Sequence, residues 1–169
     1  MKKNEIFINF VQLGYEPENK AWKGNVMHRI TIKIRGYHLD LYGHVNNARY
    51  LELLEEARWS FIEQVMPITE FEQRGFAFVV VNININYRQP ALLDYTLEIQ
   101  TEMVKVGNKS AKIHQEIIRA GTEQRIADAD ITFVALDTVS KQVLPIEGEL
   151  RNLLESYMLK PDGSSKSLG

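Results

Sequence analysis

Asp40 is followed in short order by Gly43, His44, Asn46 and Asn47, after which an unbroken helical pattern runs to about Val65. The first amides of a helix have no intrahelical acceptor and carry the positive end of its dipole, so a developing oxyanion can be held there. A carboxylate just ahead of that terminus can attack a carbonyl or direct a water onto it. Asp40, with the amides around Asn46 and Asn47, therefore suits acyl transfer. An aspartate before a helix also serves as an ordinary turn or capping acid, and spacing alone leaves both roles open. Further along the helix, Glu55 and Arg58 stand three residues apart toward its apolar side, the spacing of a partly buried ion pair. Glu55 is also the second candidate for a working carboxylate. His38, Asp40 and His44 straddle one turn without a recognisable ligand pattern, so no metal is expected.

The stretch Asp40–Arg58 resembles the signature of hotdog-fold acyl-CoA thioesterases of the 4-hydroxybenzoyl-CoA thioesterase type, Asp-x-x-Gly-His-Val-Asn-Asn-x-x-Tyr followed by Glu-x-Ala-Arg. The matching positions are Asp40, Gly43, His44, Val45, Asn46, Asn47, Tyr50, Glu55 or Glu56, Ala57 and Arg58. The similarity continues through Tyr87-Arg-Gln-Pro90, the Val106-Gly-Asn-Lys-Ser110 hairpin and the segment from Asp137 to Pro145, and so covers about residues 28–146. One departure is visible: many relatives carry a second acid two positions before the key aspartate, where this chain has His38.

The resemblance implies hydrolysis of an acyl-CoA thioester to a free acid and coenzyme A, with neither metal nor cofactor. Asp40 would be the nucleophile, forming a mixed anhydride, or the general base on water. The backbone N–H of Asn47 would donate to the thioester oxygen, with Gly43 shaping the turn and His44 either touching the thioester or bracing the loop. A different branch of hotdog thioesterases uses a helix glutamate, which keeps Glu55 in view. Lys109 and Asn108 at the hairpin tip, with Arg88, are the candidates for binding coenzyme A. Relatives join two sheets edge to edge, so a homodimer or a dimer of dimers is expected. The alternatives are a non-hydrolytic hotdog protein, acyl-binding or dehydratase-type, and a thioesterase acting on acyl-carrier-protein thioesters.

Composition is compatible with this and excludes several other classes. The chain of 169 residues suits one domain with a proper core. A formal charge of -2 carries no polyanion signature, so nucleic acid is not an expected partner. There is no cysteine, which removes disulfides and thiolate chemistry. The N-terminus lacks the apolar run of a signal peptide and no stretch approaches a membrane span, so a cytoplasmic location is expected.

The elements that must position Asp40 and Asn47 read as an α+β architecture. Residues 1–26 form an extension outside the resemblance, with a possible short strand at Ile6, Ile8 and Phe10. A half-buried strand from Met27 delivers the chain to Asp40, with Ile30, Ile32 and Ile34 on one face. The helix from Asn47 to Val65 is apolar over more than half its circumference and should be largely enclosed. Pro67 ends it, and Phe71–Gly75 reads as a connector. Four strands follow at about 76–88, 96–106, 110–120 and 125–136. In the first, Val79, Val81, Ile83 and Ile85 alternate against Asn82, Asn84 and Asn86. The hotdog domain spans 27–146, a C-terminal helix follows within 147–160, and the Ser/Gly-rich tail 161–169 is expected to be disordered.

Overall fold

The computed structural model describes residues 27–158. The expected N-terminal strand and the 161–169 tail lie outside the described residues. Five strands, β1 (His28–Lys33), β2 (Phe76–Tyr87), β3 (Thr96–Val106), β4 (Ala111–Arg119) and β5 (Arg125–Asp137), form one antiparallel sheet in the order β1-β3-β4-β5-β2. The helix α1 (Asn47–Val65) lies in its curve, followed by α2 (Ile68–Gln73) and, after the sheet, α3 (Gly148–Ser156). A single core joins Tyr50, Leu54, Ala57 and Phe61 of α1 to Leu97, Ile99, Ile117, Ala129 and Ile131 of the sheet.

Both ends of α1 are written locally. The side chain of Asn46 accepts the Ala48 N–H at 2.9 Å, which caps the first turn. At the other end Met66 turns extended ahead of Pro67, because a residue before proline is pushed out of helical geometry. The helix is less enclosed than its apolar arc suggests. Leu53, Leu54 and Ala57 are buried, whereas Leu51 and Trp59 face outward.

Two readings are corrected. The segment taken as a connector from Phe71 to Gly75 begins inside α2. Pro67 stops α1 but opens the next helix, its carbonyl accepting the Glu70 N–H at 2.9 Å, and Gly75 with φ +72 ends it. A partly buried Arg74–Glu70 pair at 3.2 Å holds that turn together. In β2 the alternation does not run straight through. The register against β5 slips between Val80 and Asn82, so Val81 is an extra residue and the inward phase changes there. Phe78 and Val80 thus share the inner face with Ile83 and Ile85, in place of Val79 and Val81.

The β3–β4 hairpin turns at Gly107–Ser110, where a Cβ on Gly107 would sit 2.9 Å from the Ser110 carbonyl oxygen. Arg151 of α3 reaches over this turn, donating to the Gly107 carbonyl at 2.8 Å, to Asn108 Oδ1 at 3.2 Å and to the Ile146 carbonyl at 3.1 Å. Among the described residues, no helix is long and apolar enough to cross a membrane.

Candidate active site

Leaving β1, the chain passes through a short 3-10 turn (Gly36–His38) and folds back on itself, with Leu39 bridging Val45. The Asp40 N–H donates to the His44 carbonyl at 2.8 Å and the Gly43 N–H to the Asp40 carbonyl at 3.1 Å. Gly43 sits at φ +75 with open space around it, so the backbone angle, not crowding, calls for glycine. Oδ1 of Asp40 accepts the Tyr42 amide at 2.8 Å and the His44 amide at 3.4 Å. The carboxylate is thereby fixed by its own turn through one oxygen. The other oxygen has no hydrogen-bond partner among the described residues.

The helix terminus is similarly prepared. The Ala48 N–H is taken by Asn46 Oδ1, and the Arg49 N–H donates to the Asn46 carbonyl at 2.9 Å. The Asn47 N–H has no acceptor among the described residues, and it stands at the positive end of α1. A half-exposed carboxylate on a fixed turn and an unfilled helix-terminal donor thus belong to one continuous segment.

Contacts from distant sequence hold that segment in place, and reading the motif alone does not find them. Val45 donates its N–H to the Ala91 carbonyl at 2.9 Å, and His44 bridges Leu92. The Tyr50 hydroxyl accepts the Ala91 N–H at 3.2 Å, while its ring meets Tyr87 edge to face at 5.3 Å. The Tyr87 hydroxyl in turn donates to the Asn47 carbonyl at 3.1 Å. Burial raises the Tyr50 hydroxyl pKa above its ordinary value, and the charges of Tyr87 and Asp40 act in the same direction. The sequence signal for this brace was the Tyr87-Arg-Gln-Pro90 stretch, but nothing in it names Asn47 as the partner.

His38, standing where relatives carry an acid, accepts the Arg35 N–H on Nδ1 at 2.9 Å. Its pKa is lowered by burial first, then by the neighbouring positive charge of Arg49, with Arg35 adding less. Its Nδ1 serves the turn as an acceptor. The His44 side chain is exposed and makes no hydrogen bond among the described residues.

The remaining candidates are placed elsewhere. Glu55 is exposed on α1, two turns beyond Asn47. The expected Glu55–Arg58 ion pair does not form. Arg58 turns inward and donates to Gln115 Oε1 at 3.2 Å, leaving Glu55 only a longer-range electrostatic influence on it. Gln115 is 0% exposed, and its Nε2 donates to the Leu54 carbonyl at 3.1 Å and to Thr101 Oγ1 at 2.9 Å. A buried amide at the centre of the sheet outcompetes the exposed carboxylate, because an unpaired buried polar group costs more than a surface ion pair returns. Arg88 is paired through Nε with Asp128 Oδ1 at 2.6 Å. Asn108 is engaged by Arg151, and Lys109 is exposed beside it. The hairpin lies at the opposite end of the sheet from Asp40. Thr96, the first residue of β3, pairs with Lys33 beside the Asp40 loop, and Val106 at its last residue is about 34 Å away at ~3.4 Å per residue.

A cavity of about 70 Å³ opens at that far end. Phe61, Ile62 and Val65 of α1, Phe71 of α2, and Phe78 and Val80 of β2 line it, and its walls are almost wholly apolar. Among the described residues no cluster of side chains could hold a metal ion.

One long helix in the curve of an antiparallel sheet, with a carboxylate turn ahead of its N-terminus, is the hotdog architecture of thioester hydrolases. The sequence profile of the Thioesterase-like superfamily matches residues 34–154, and the chain belongs to that family. It is 51% identical over 127 residues to the long-chain acyl-CoA thioesterase FadM of Escherichia coli (strain K12), covering 75% of this chain and 96% of that protein. The crystal structure of the probable thioesterase YbaW from Escherichia coli superimposes with a TM-score of 0.73 at 49% identity, covering 79% of this chain and 99% of that one. A Staphylococcus aureus protein, SAV2348, solved in complex with CoA, shares the fold with a TM-score of 0.74 at 9% identity, covering 81% and 87% of the two chains. The chain is a thioester hydrolase.

Proposed function

We propose that this protein hydrolyses acyl-CoA thioesters, with Asp40 as the working carboxylate and the Asn47 N–H as the oxyanion donor. The observation that carries this reading is the pairing of Asp40, anchored through one carboxylate oxygen only, with the unfilled Asn47 N–H at the head of α1. Asp40 either adds to the thioester carbonyl itself or takes a proton from the water that does. The carbonyl oxygen gains charge as the tetrahedral species forms, and a preorganised amide stabilises that charge without having to reorient. The carbon–sulfur bond then breaks, the thiol of coenzyme A departs with a proton, and water supplies the second oxygen of the acid. The FadM likeness supports the substrate class, because it covers nearly the whole of that protein.

The protein works as a homodimer in this reading. β2 is an edge of the sheet, twelve residues long, and its Val79, Val80 and Val81 are 39%, 40% and 56% exposed. A long edge strand carrying apolar side chains is a template for pairing with a second copy. Lys109 then serves the coenzyme A bound at the partner's Asp40 loop, since within one protomer the two stand at opposite ends of the sheet. The test is incubation with acyl-CoAs in the presence of a thiol reagent, with light scattering on the same sample. Release of free thiol by a dimer is expected; binding without release would favour the non-hydrolytic hotdog alternative.

A further inference from the structure

The hydrolysis described above gives His38 no part, yet this residue is built into the frame of the Asp40 loop. Its backbone carbonyl accepts the Asn46 N–H at 2.9 Å, and the next rung runs from the Asp40 N–H to the His44 carbonyl at 2.8 Å. These two bonds, with the Leu39–Val45 bridge between them, set one limb of the loop against the other. Asp40 stands on the first limb. Asn46, the cap that leads into Asn47, stands on the second. A slip at His38 therefore alters the spacing between the working carboxylate and the oxyanion donor.

The half-buried side chain of His38 holds its own end of that frame. Nδ1 accepts the Arg35 N–H at 2.9 Å, and the His38 N–H returns to the Arg35 carbonyl at 3.0 Å. This is half of a capping box, in which a side chain at the third helical position takes the N–H of the capping residue. Glu or Gln ordinarily fills that position, offering an oxygen as acceptor. An imidazole serves there only while Nδ1 carries no proton, because both nitrogens of a charged ring are donors. Protonation would set Nδ1–H against the Arg35 N–H and break the bond. The groups facing the ring are Arg35 and Tyr37 of its own turn, the latter edge-on at 4.2 Å, and Arg49 and Glu52 of α1.

We infer that His38 is a positioning residue of the hydrolysis: its neutral ring holds the loop that sets Asp40 against the Asn47 N–H, and protonation of the ring releases that loop. The inference rests on the proposed thioesterase reading and adds a residue to the same site. Burial of the ring first, then the charge of Arg49, holds its pKa below the ordinary histidine value, while Glu52 acts in the opposite direction. The holding contact is complete above that lowered pKa and is lost as pH falls through it.

The experiment measures kcat and KM on palmitoyl-CoA between about pH 5 and about pH 8, the range in which a histidine titrates. His38→Phe keeps a ring beside Tyr37 and offers no acceptor. Its kcat at about pH 8 should fall about fivefold, the factor for one oriented hydrogen bond, with KM within about twofold of wild type. His38→Gln keeps an acceptor that does not titrate, and should recover most of that loss. Dividing the wild-type kcat by that of His38→Gln at each pH removes the protonation of Asp40, which both proteins share. The ratio should be level at alkaline pH and fall about fivefold through one midpoint below 6.5. A level ratio throughout, or a folded His38→Gln as slow as His38→Phe, would overturn the inference.

Should either variant fail to fold, the wild-type protein carries the test alone. By NMR, the Arg35 amide and the His38 ring should titrate together, at the midpoint of the acid loss in kcat. An Arg35 amide indifferent to the charging of His38 would overturn the inference while leaving the thioesterase reading in place. Failure of the wild-type protein to cleave palmitoyl-CoA at any pH would instead remove the thioesterase reading, and the inference with it.

Discussion

Replacing Gln115 by leucine removes three hydrogen bonds from a site with no access to water. Two of them are neutral, donated to the Leu54 carbonyl and Thr101 Oγ1, and the third is accepted from the Arg58 guanidinium. At about 1 kcal/mol for each neutral bond and about 1.5–3 for the charged one, less what the leucine regains by burial, the variant should lose about 3 kcal/mol. For a domain of this size that lowers Tm by about 10 °C. Arg58→Met alone leaves Gln115 Oε1 without its donor and should cost about 1–2 kcal/mol. The double variant removes both ends of the charged bond, so its loss should fall short of the sum by about 1 kcal/mol or more. Urea unfolding of the four proteins measures this directly. A Gln115→Leu variant within about 0.5 kcal/mol of wild type, or losses that simply add, would refute the claim that this cluster ties α1 to the sheet.

Tyr87→Phe deletes the hydroxyl that holds the Asn47 carbonyl; kcat should fall while Tm moves by less than a few degrees, since one half-exposed hydrogen bond is worth only about 1 kcal/mol. Gly43→Ala must place a Cβ on a backbone at φ +75, and stability should drop by about 1 kcal/mol in thermal melts even though the surrounding space is open. The hydrogen bond from Arg88, outweighing the opposing effect of burial, holds the Asp128 pKa below the ordinary carboxylate value. Stability from that lowered pKa is full above the unfolded value and is lost as pH falls through the folded one. Asp128→Asn should therefore flatten the acid limb of a stability-against-pH curve and leave the alkaline limb unchanged.

What the sequence revealed of the fold was what local chemistry decides. Asn46 and Pro67 bracket α1, and glycine at 107 marks the hairpin, because caps, proline and turns act within a few residues. The slip in β2 was not legible: a bulge is settled by pairing with β5, and a strict period-two reading carries straight through it. α2 was missed because six residues after a proline give too little periodicity to read. Around the site, the Asp40 turn and the head of α1 were legible as one contiguous motif. Arg58 was assigned to Glu55 because they are neighbours on the helix, while its true partner Gln115 lies 57 residues away. Tyr87 bracing Asn47 across 40 residues escaped for the same reason.

The central claim is that Asp40 supplies the chemistry and Glu55 does not, and kcat on an acyl-CoA for the two amide variants tests it most directly. Asparagine at position 40 retains an oxygen to accept the Tyr42 and His44 amides, so the turn and the melting temperature should hold while the basic charge is lost. Asp40→Asn should lower kcat by at least about 100-fold, the lower range for removing an acid–base group. Glu55→Gln, on the exposed face of α1 and without an ion-pair partner among the described residues, should turn over near the wild-type rate. A folded Asp40→Asn protein with wild-type kcat, beside a folded but inactive Glu55→Gln, would contradict the account and move the chemistry onto the helix.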